Sequence, residues 1–174
     1  MEKLRTNCFS SLFTEILMTP IIVKTNIIAK DAYDAIRQLA TQLYSLSLVT
    51  ESFIEAVCQR EKIYPTGLPF EGMGIAIPHT DPEHVIKNCF AIGKLSKPTN
   101  FHEMGNPENK IPVELIILMG INNKEEHLPY MKCILENMSS KSFIYAVRAC
   151  EDSTGLKTLF GKCLSEDEGL INFE

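Results

Sequence analysis

A chain of 174 residues with 45% apolar and 22% charged side chains can bury a substantial core and has the balance of an ordinary soluble protein. Its formal charge of −5, with no cluster of Lys and Arg, argues against nucleic-acid binding, which needs cations set against phosphates. No apolar run approaches the length that crosses a bilayer, so direct membrane insertion is not expected.

The first stretch, "MEKLRTNCFSSLFTEILM", places basic residues before a partly apolar patch, as a signal peptide does. Asn7, Ser10, Ser11, Thr14 and Glu15 interrupt the patch and no small-residue cleavage site follows, so residues 1–17 read as an extension. The domain proper is expected over 18–165, followed by an acidic tail over 166–174. "IIVK" from Ile21 reads as a short edge strand. Asp31 then reads as an N-cap, with Ile36, Leu39, Ala40 and Leu43 at helical spacing behind it.

A second helix is expected from Thr50 to about Lys62, with Phe53, Ile54, Val57 and Cys58 on its buried stripe and Arg60 in its last turn. A cation there matches the helix dipole, so position alone leaves Arg60 as either a surface charge or a ligand-binding group. "YPTGLPF" ends the helix and turns the chain. The strand around Ile75 and Ile77 follows and stops at Pro78. "CFAIGKL" from Cys89 reads as a strand and "VELIILMG" from Val113 as one buried on both faces, with the breaker-rich "SKPTNFHEMGNPENKIP" between them as a loop. "INNKEEHLPYMKCILENM" carries Leu128, Met131, Leu135 and Met138 at helical spacing, and Pro129 confines the helix start to near Glu125. Amphipathic segments over 143–150 and 156–164 complete the pattern. Together these predict a single α/β domain, a mixed β-sheet flanked by helices on both faces.

The six cysteines are scattered, without CxxC or metal-ligand spacing, and read as free core thiols of a reducing cytosol. Of the four histidines, His79 and His84 are five apart with Pro82 between them, which is not a helical metal pair. "HEMGN" begins like a zinc-protease motif but has Asn106 where the second ligand belongs. His84 and His102 read as solvated loop residues. There is no GxSxG elbow, no GxxxxGK[ST] loop and no GxGxxG turn, so neither a metal nor another cofactor is expected.

What remains is His79, delivered by Pro78 at the end of a buried strand, where sites form in α/β sheets. "TDPE" after it has the composition of a helix start, whose amides would favour an anion near the ring. Without further information His79 is either an incidental strand-end residue or a functional one.

In combination, "REKIYPTGL" and "GIAIPH" resemble the IIA component of the bacterial sugar phosphotransferase system, in its fructose–mannitol superfamily. The YPTGL stretch and "IAIPHTD" are most similar to the galactitol-type branch. The resemblance spans roughly Ile21 to Leu164. It implies a cytoplasmic phosphocarrier whose histidine takes a phosphoryl group from HPr and passes it to a IIB component, which phosphorylates sugar during transport through a membrane IIC component. By position, it implies His79 as the phosphoryl acceptor, Arg60 as the phosphate-contacting arginine and His127 as a second active-site histidine. Mannitol- and fructose-type members usually continue Pro-His-Gly, whereas this chain has Thr80, and "LPFEGMG" lengthens the interval between Arg60 and His79. Both departures suit the galactitol-like branch. Two other readings stand beside it: a regulatory module of the same fold switched by phosphorylation of His79, and a metal-dependent hydrolase.

Overall fold

The computed structural model describes residues 19–138 and 140–165, which group into two units, Pro20–Lys124 and a second beginning at Glu125. The expected extension over 1–17 and tail over 166–174 lie outside the described residues. The first unit opens with strand β1 (Ile21–Ile27), which among the described residues pairs with one strand only, in parallel, and so is an edge, as "IIVK" suggested. Asn26 takes a positive φ of 57° where the register shifts between Lys24 and Ile27, a conformation asparagine tolerates better than most residues. Helix α1 (Ala32–Ser45) is capped as expected, the Asp31 carboxylate accepting from Asp34 N at 2.8 Å. Ile36, Leu39, Ala40 and Leu43 are all fully buried in the core. Helix α2 (Ser52–Ile63) buries Phe53, Val57 and Cys58 and leaves Ile54 half-buried.

Beyond the break at Tyr64–Thr66 the structure corrects the sequence reading. "GLPF" is not only a turn. Gly67–Phe70 forms strand β2, paired antiparallel with β3 (Met73–Ala76) across Glu71 and Gly72. The breaker-rich stretch read as a loop is the far half of a long hairpin between β4 (Cys89–Glu103) and β5 (Asn106–Gly120). The breakers are accommodated rather than excluded. Between Lys94 and Thr99 the register skips, so Pro98, which has no N–H for a ladder, falls in a bulge. Gly105 supplies the turn with φ +85°. Along this arm Phe101 and Ile111 oppose each other and are both buried.

The sheet order is β1-β4-β2-β3-β5 with β4 also paired to β5, so four strands close a ring. The β4–β5 and β2–β3 pairs are antiparallel and the others parallel, giving the mixed sheet of the expected α/β class. Ala91, Ile116 and Leu118 join α1 in the core, while Phe90, Ile92, Leu115, Ile117 and Met119 are equally buried, so the 89–95 half of β4 and the 113–120 half of β5 are buried on both faces. Gly74 lets β3 approach β5 closely: a Cβ there would overlap the Pro112 carbonyl.

The second unit contains α3 (Lys124–Met138), α4 (Lys141–Ala149) and α5 (Ser153–Ser165). Pro129 sits inside α3, in its second turn, where a proline has no N–H to give to the preceding turn. The buried face of α3 is set by Tyr130, Ile134 and Met138, whereas Leu128 is 72% exposed and Met131 and Leu135 only half-buried. The expected stripe is therefore rotated, because an aromatic and a β-branched side chain one position away bury better. Phe143 and Phe160 meet edge-to-face at 5.3 Å and join α4 to α5. Among the described residues no helix is long and apolar enough to cross a membrane.

Candidate active site

β3 ends at Ala76, and Ile77, Pro78 and His79 continue beside the last residues of β5. Met119 N donates to the Pro78 carbonyl at 2.9 Å, and His79 bridges Met119 in parallel. Pro78 lacks an N–H but its carbonyl is still used, so the segment is pinned without extending the strand. His79 is therefore held rather than displayed. Only 5% of it is exposed, and Thr80 beside it is buried too. The imidazole Nδ1 lies 2.8 Å from the Ile77 carbonyl oxygen. A carbonyl accepts and cannot donate, so Nδ1 carries the proton and the lone pair of the neutral ring is on Nε2.

Ile77 is held in turn. Its N–H donates to the Thr66 hydroxyl at 3.1 Å and lies 3.4 Å from the Thr66 carbonyl. Thr66 donates twice to Glu61, from its backbone N at 3.0 Å and its hydroxyl at 2.8 Å. Glu61 faces inward from the last turn of α2 and is 5% exposed; burial pushes its carboxyl up to about 7, against the lowering effect of the two Thr66 hydrogen bonds and the Arg60 charge. It also lines a cleft of about 130 Å³ with Asp31, Tyr33, Asn100, His102 and Lys110.

Arg60 is in the last turn of α2, as expected, with its guanidinium carbon 5.8 Å from the centroid of the Tyr64 ring. Tyr64 and Ile63 are both well exposed, so this helix end presents an aromatic, an aliphatic and a cation together. The structure thus joins His79 to the end of α2 through Ile77, Thr66 and Glu61, with Arg60 next to Glu61 in the chain. His127 belongs to the second unit, in the first turn of α3 beside Glu125 and Glu126.

Three expectations change. "TDPE" forms only a three-residue 3₁₀ turn, Pro82–His84, and the Asp81 side chain does not cap it. His84 N and Val85 N bond back to Asp81 and Pro82 carbonyls, so this turn makes no helix-end anion site. His84 is not simply solvated: its Nδ1 lies 2.8 Å from Ser52 Oγ, and its carbonyl accepts from Thr50 N, fastening the segment after His79 to the start of α2. His102, read as a solvated loop residue, lies with Glu103 on β4, an extended backbone on which a helical zinc motif does not form. Cys58 and Cys89 are buried thiols, pushed by burial up to about 11 and about 12 respectively, which matches core residues rather than nucleophiles.

Residues 16–162 match the family described as phosphoenolpyruvate-dependent sugar phosphotransferase system, EIIA 2. The chain belongs to that family. Among relatives of this EIIA chain, the galactitol-specific EIIA component of Escherichia coli K12 is 25% identical over 154 residues, covering 87% of this chain and all of that one. The fold is shared with a putative PTS IIA (PtxA) from Streptococcus mutans, at TM-score 0.69 and 18% identity over 91% of this chain and 96% of that one. It is also shared with an E. coli complex of enzyme IIAMTL and phosphorylated enzyme IIBMTL, at TM-score 0.60 and 20% identity, covering 82% of this chain and 94% of the neighbour.

Glu61 and Thr66 escaped the sequence reading of this EIIA chain, although both lie inside the quoted motifs "REKIYPTGL". A glutamate one residue after the arginine is unremarkable on an α-helix surface. The usable signal was its stripe: Phe53, Val57 and Glu61 are four apart, which puts the carboxylate on the buried face.

Proposed function

We propose that this EIIA chain is a cytoplasmic phosphocarrier that accepts a phosphoryl group from HPr on His79 and passes it to a IIB component for uptake of galactitol or a related sugar or polyol through IIC. The observation that carries the reading is the bond from His79 Nδ1–H to the Ile77 carbonyl, which leaves Nε2 as the nucleophile. In the forward step a bond forms between Nε2 and phosphorus while the bond from phosphorus to the donor breaks, its electron pair returning to the donor. Positive charge then appears on the ring, and the Ile77 carbonyl stabilises it at the Nδ1 proton. The second transfer runs the same way, with the electron pair returning to Nε2. No nucleotide is consumed in either step.

Arg60 is the phosphate-binding residue in this reading: its planar fork matches two phosphoryl oxygens, which the point charge of lysine does not. His127 is the second active-site histidine in this reading, in the role of donating to a phosphoryl oxygen or orienting the acceptor. Burial of His79 shields the phosphorylated ring from water, and positioning with charge stabilisation suffices for such transfers. Family membership supports the phosphotransferase class; the galactitol-specific relative supports the substrate, and the IIAMTL–IIBMTL complex supports the IIB partner.

The test is incubation with phosphoenolpyruvate and the general phosphotransferase proteins. The expected result is one phosphate per chain, lost in acid and kept in alkali, and absent in His79→Ala. A label that survives that substitution defeats the assignment.

A further inference from the structure

A buried glutamate fastened to the segment that carries His79 needs a reason to be charged-capable. An isolated ionised carboxylate is costly to bury, and a staple between a helix end and a turn is made as well by neutral groups. Glu61 nonetheless places both oxygens on Thr66. An ionised carboxylate can only accept, so the single hydroxyl proton of Thr66 is committed to Glu61. The Thr66 oxygen then has only lone pairs to offer Ile77, and the Ile77 N–H donates to it at 3.1 Å. The Ile77 N–H and carbonyl lie in consecutive peptide planes, so what passes through this residue is position rather than polarity. Its N–H side is held by Thr66 and the Pro78 carbonyl by Met119. Proline fixes the φ between them. The Ile77 carbonyl is left one direction to point, and it meets Nδ1 of His79.

We propose that Glu61 is a positioning residue of the His79 site: through the Thr66 hydroxyl it fixes the Ile77 carbonyl that holds the proton on Nδ1 and so leaves the lone pair of the ring on Nε2. The inference rests on the phosphocarrier reading for its consequence in rate, but its structural content stands apart from it. The role belongs to Glu61 and Thr66 together, since neither touches the imidazole.

The experiment uses the full chain with ¹⁵N-labelled histidine, unphosphorylated, at about pH 8, where an ordinary imidazole is neutral. Nitrogen chemical shifts report which ring nitrogen of His79 carries the proton. In the wild type Nδ1 is expected to be protonated and Nε2 unprotonated. In Glu61→Gln and Thr66→Val the two tautomers are expected to mix, and labelling by phosphorylated HPr to slow about tenfold, the effect of one weakened hydrogen bond at the reacting group. Thr66→Ser, which keeps the hydroxyl, is expected to restore both readouts. A merely structural staple would lower the melting temperature of the variants while leaving the tautomer pure and the rate unchanged; that result overturns the proposal. Should one variant fail to fold, the other decides, because each breaks the same connection. If the wild type takes no label at all the phosphocarrier reading fails, and the tautomer measurement still decides the positioning claim.

Discussion

Two imidazoles in this chain stand near strand ends and engage a backbone carbonyl through Nδ1. His79 reaches Ile77 two residues back, and His102 reaches Pro107 across the β4–β5 turn. What differs is the support behind each carbonyl. Ile77 is fully buried and tied through Thr66 to Glu61, while Pro107 belongs to an exposed arm and, as a proline, has no N–H by which to be held. A carbonyl alone selects a tautomer; a site also needs that carbonyl to stay where it is.

The sharpest way to break the comparison is to remove each ring. His79→Ala is expected to abolish phosphate labelling completely, and His102→Ala to leave it at the wild-type level, as measured by radiolabel from phosphoenolpyruvate. Equal loss in both would dissolve the distinction. A smaller effect is expected at the helix end: Arg60→Lys keeps the charge but loses the fork, and single-turnover labelling should slow about tenfold with an unchanged melting temperature.

The support itself has a pH signature. The Glu61 carboxyl is held near 7 in the folded chain, chiefly by burial, against an ordinary 4.5. Arg60 opposes that rise, and Asp31, Tyr33, His102 and Lys110 share its cleft. Between these values the folded chain keeps a proton that the unfolded chain has lost, so stability is greatest below 4.5 and falls as pH rises through 7. The fall attributable to this group is about 3 kcal/mol. Urea titrations across that range should show it in the wild type and not in Glu61→Gln; parallel profiles would place the carboxyl in water. The smallest effect belongs to the arm. Gly105→Ala meets open space but an unfavourable φ of +85°, and should cost about 1 kcal/mol in urea unfolding without touching the labelling rate.

Much of this was legible in the residues. The Asp31 cap, the α1 stripe, Arg60 in the last turn of α2, the stop at Pro78 and the mixed α/β class were all readable, because capping and periodicity act over a few residues. The β4–β5 arm was hidden by its own breakers. Pro98 reads as a loop residue until a bulge absorbs it, and only pairing shows that Phe101 faces Ile111. On α3 the choice between the Leu128 and Tyr130 faces depended on what lies against the helix, and spacing alone permits both.

By itself the sequence determined a histidine behind a proline at a strand end, an arginine closing a helix, and a family resemblance joining them. Only tertiary structure decided that the histidine is buried, that its Nδ1 holds the proton, and that a glutamate inside the domain stands behind it. The reason is range. Helix caps and strand stops are settled by neighbours in the chain, whereas burial of Glu61 and the line from Thr66 to Ile77 require segments eleven residues apart to meet.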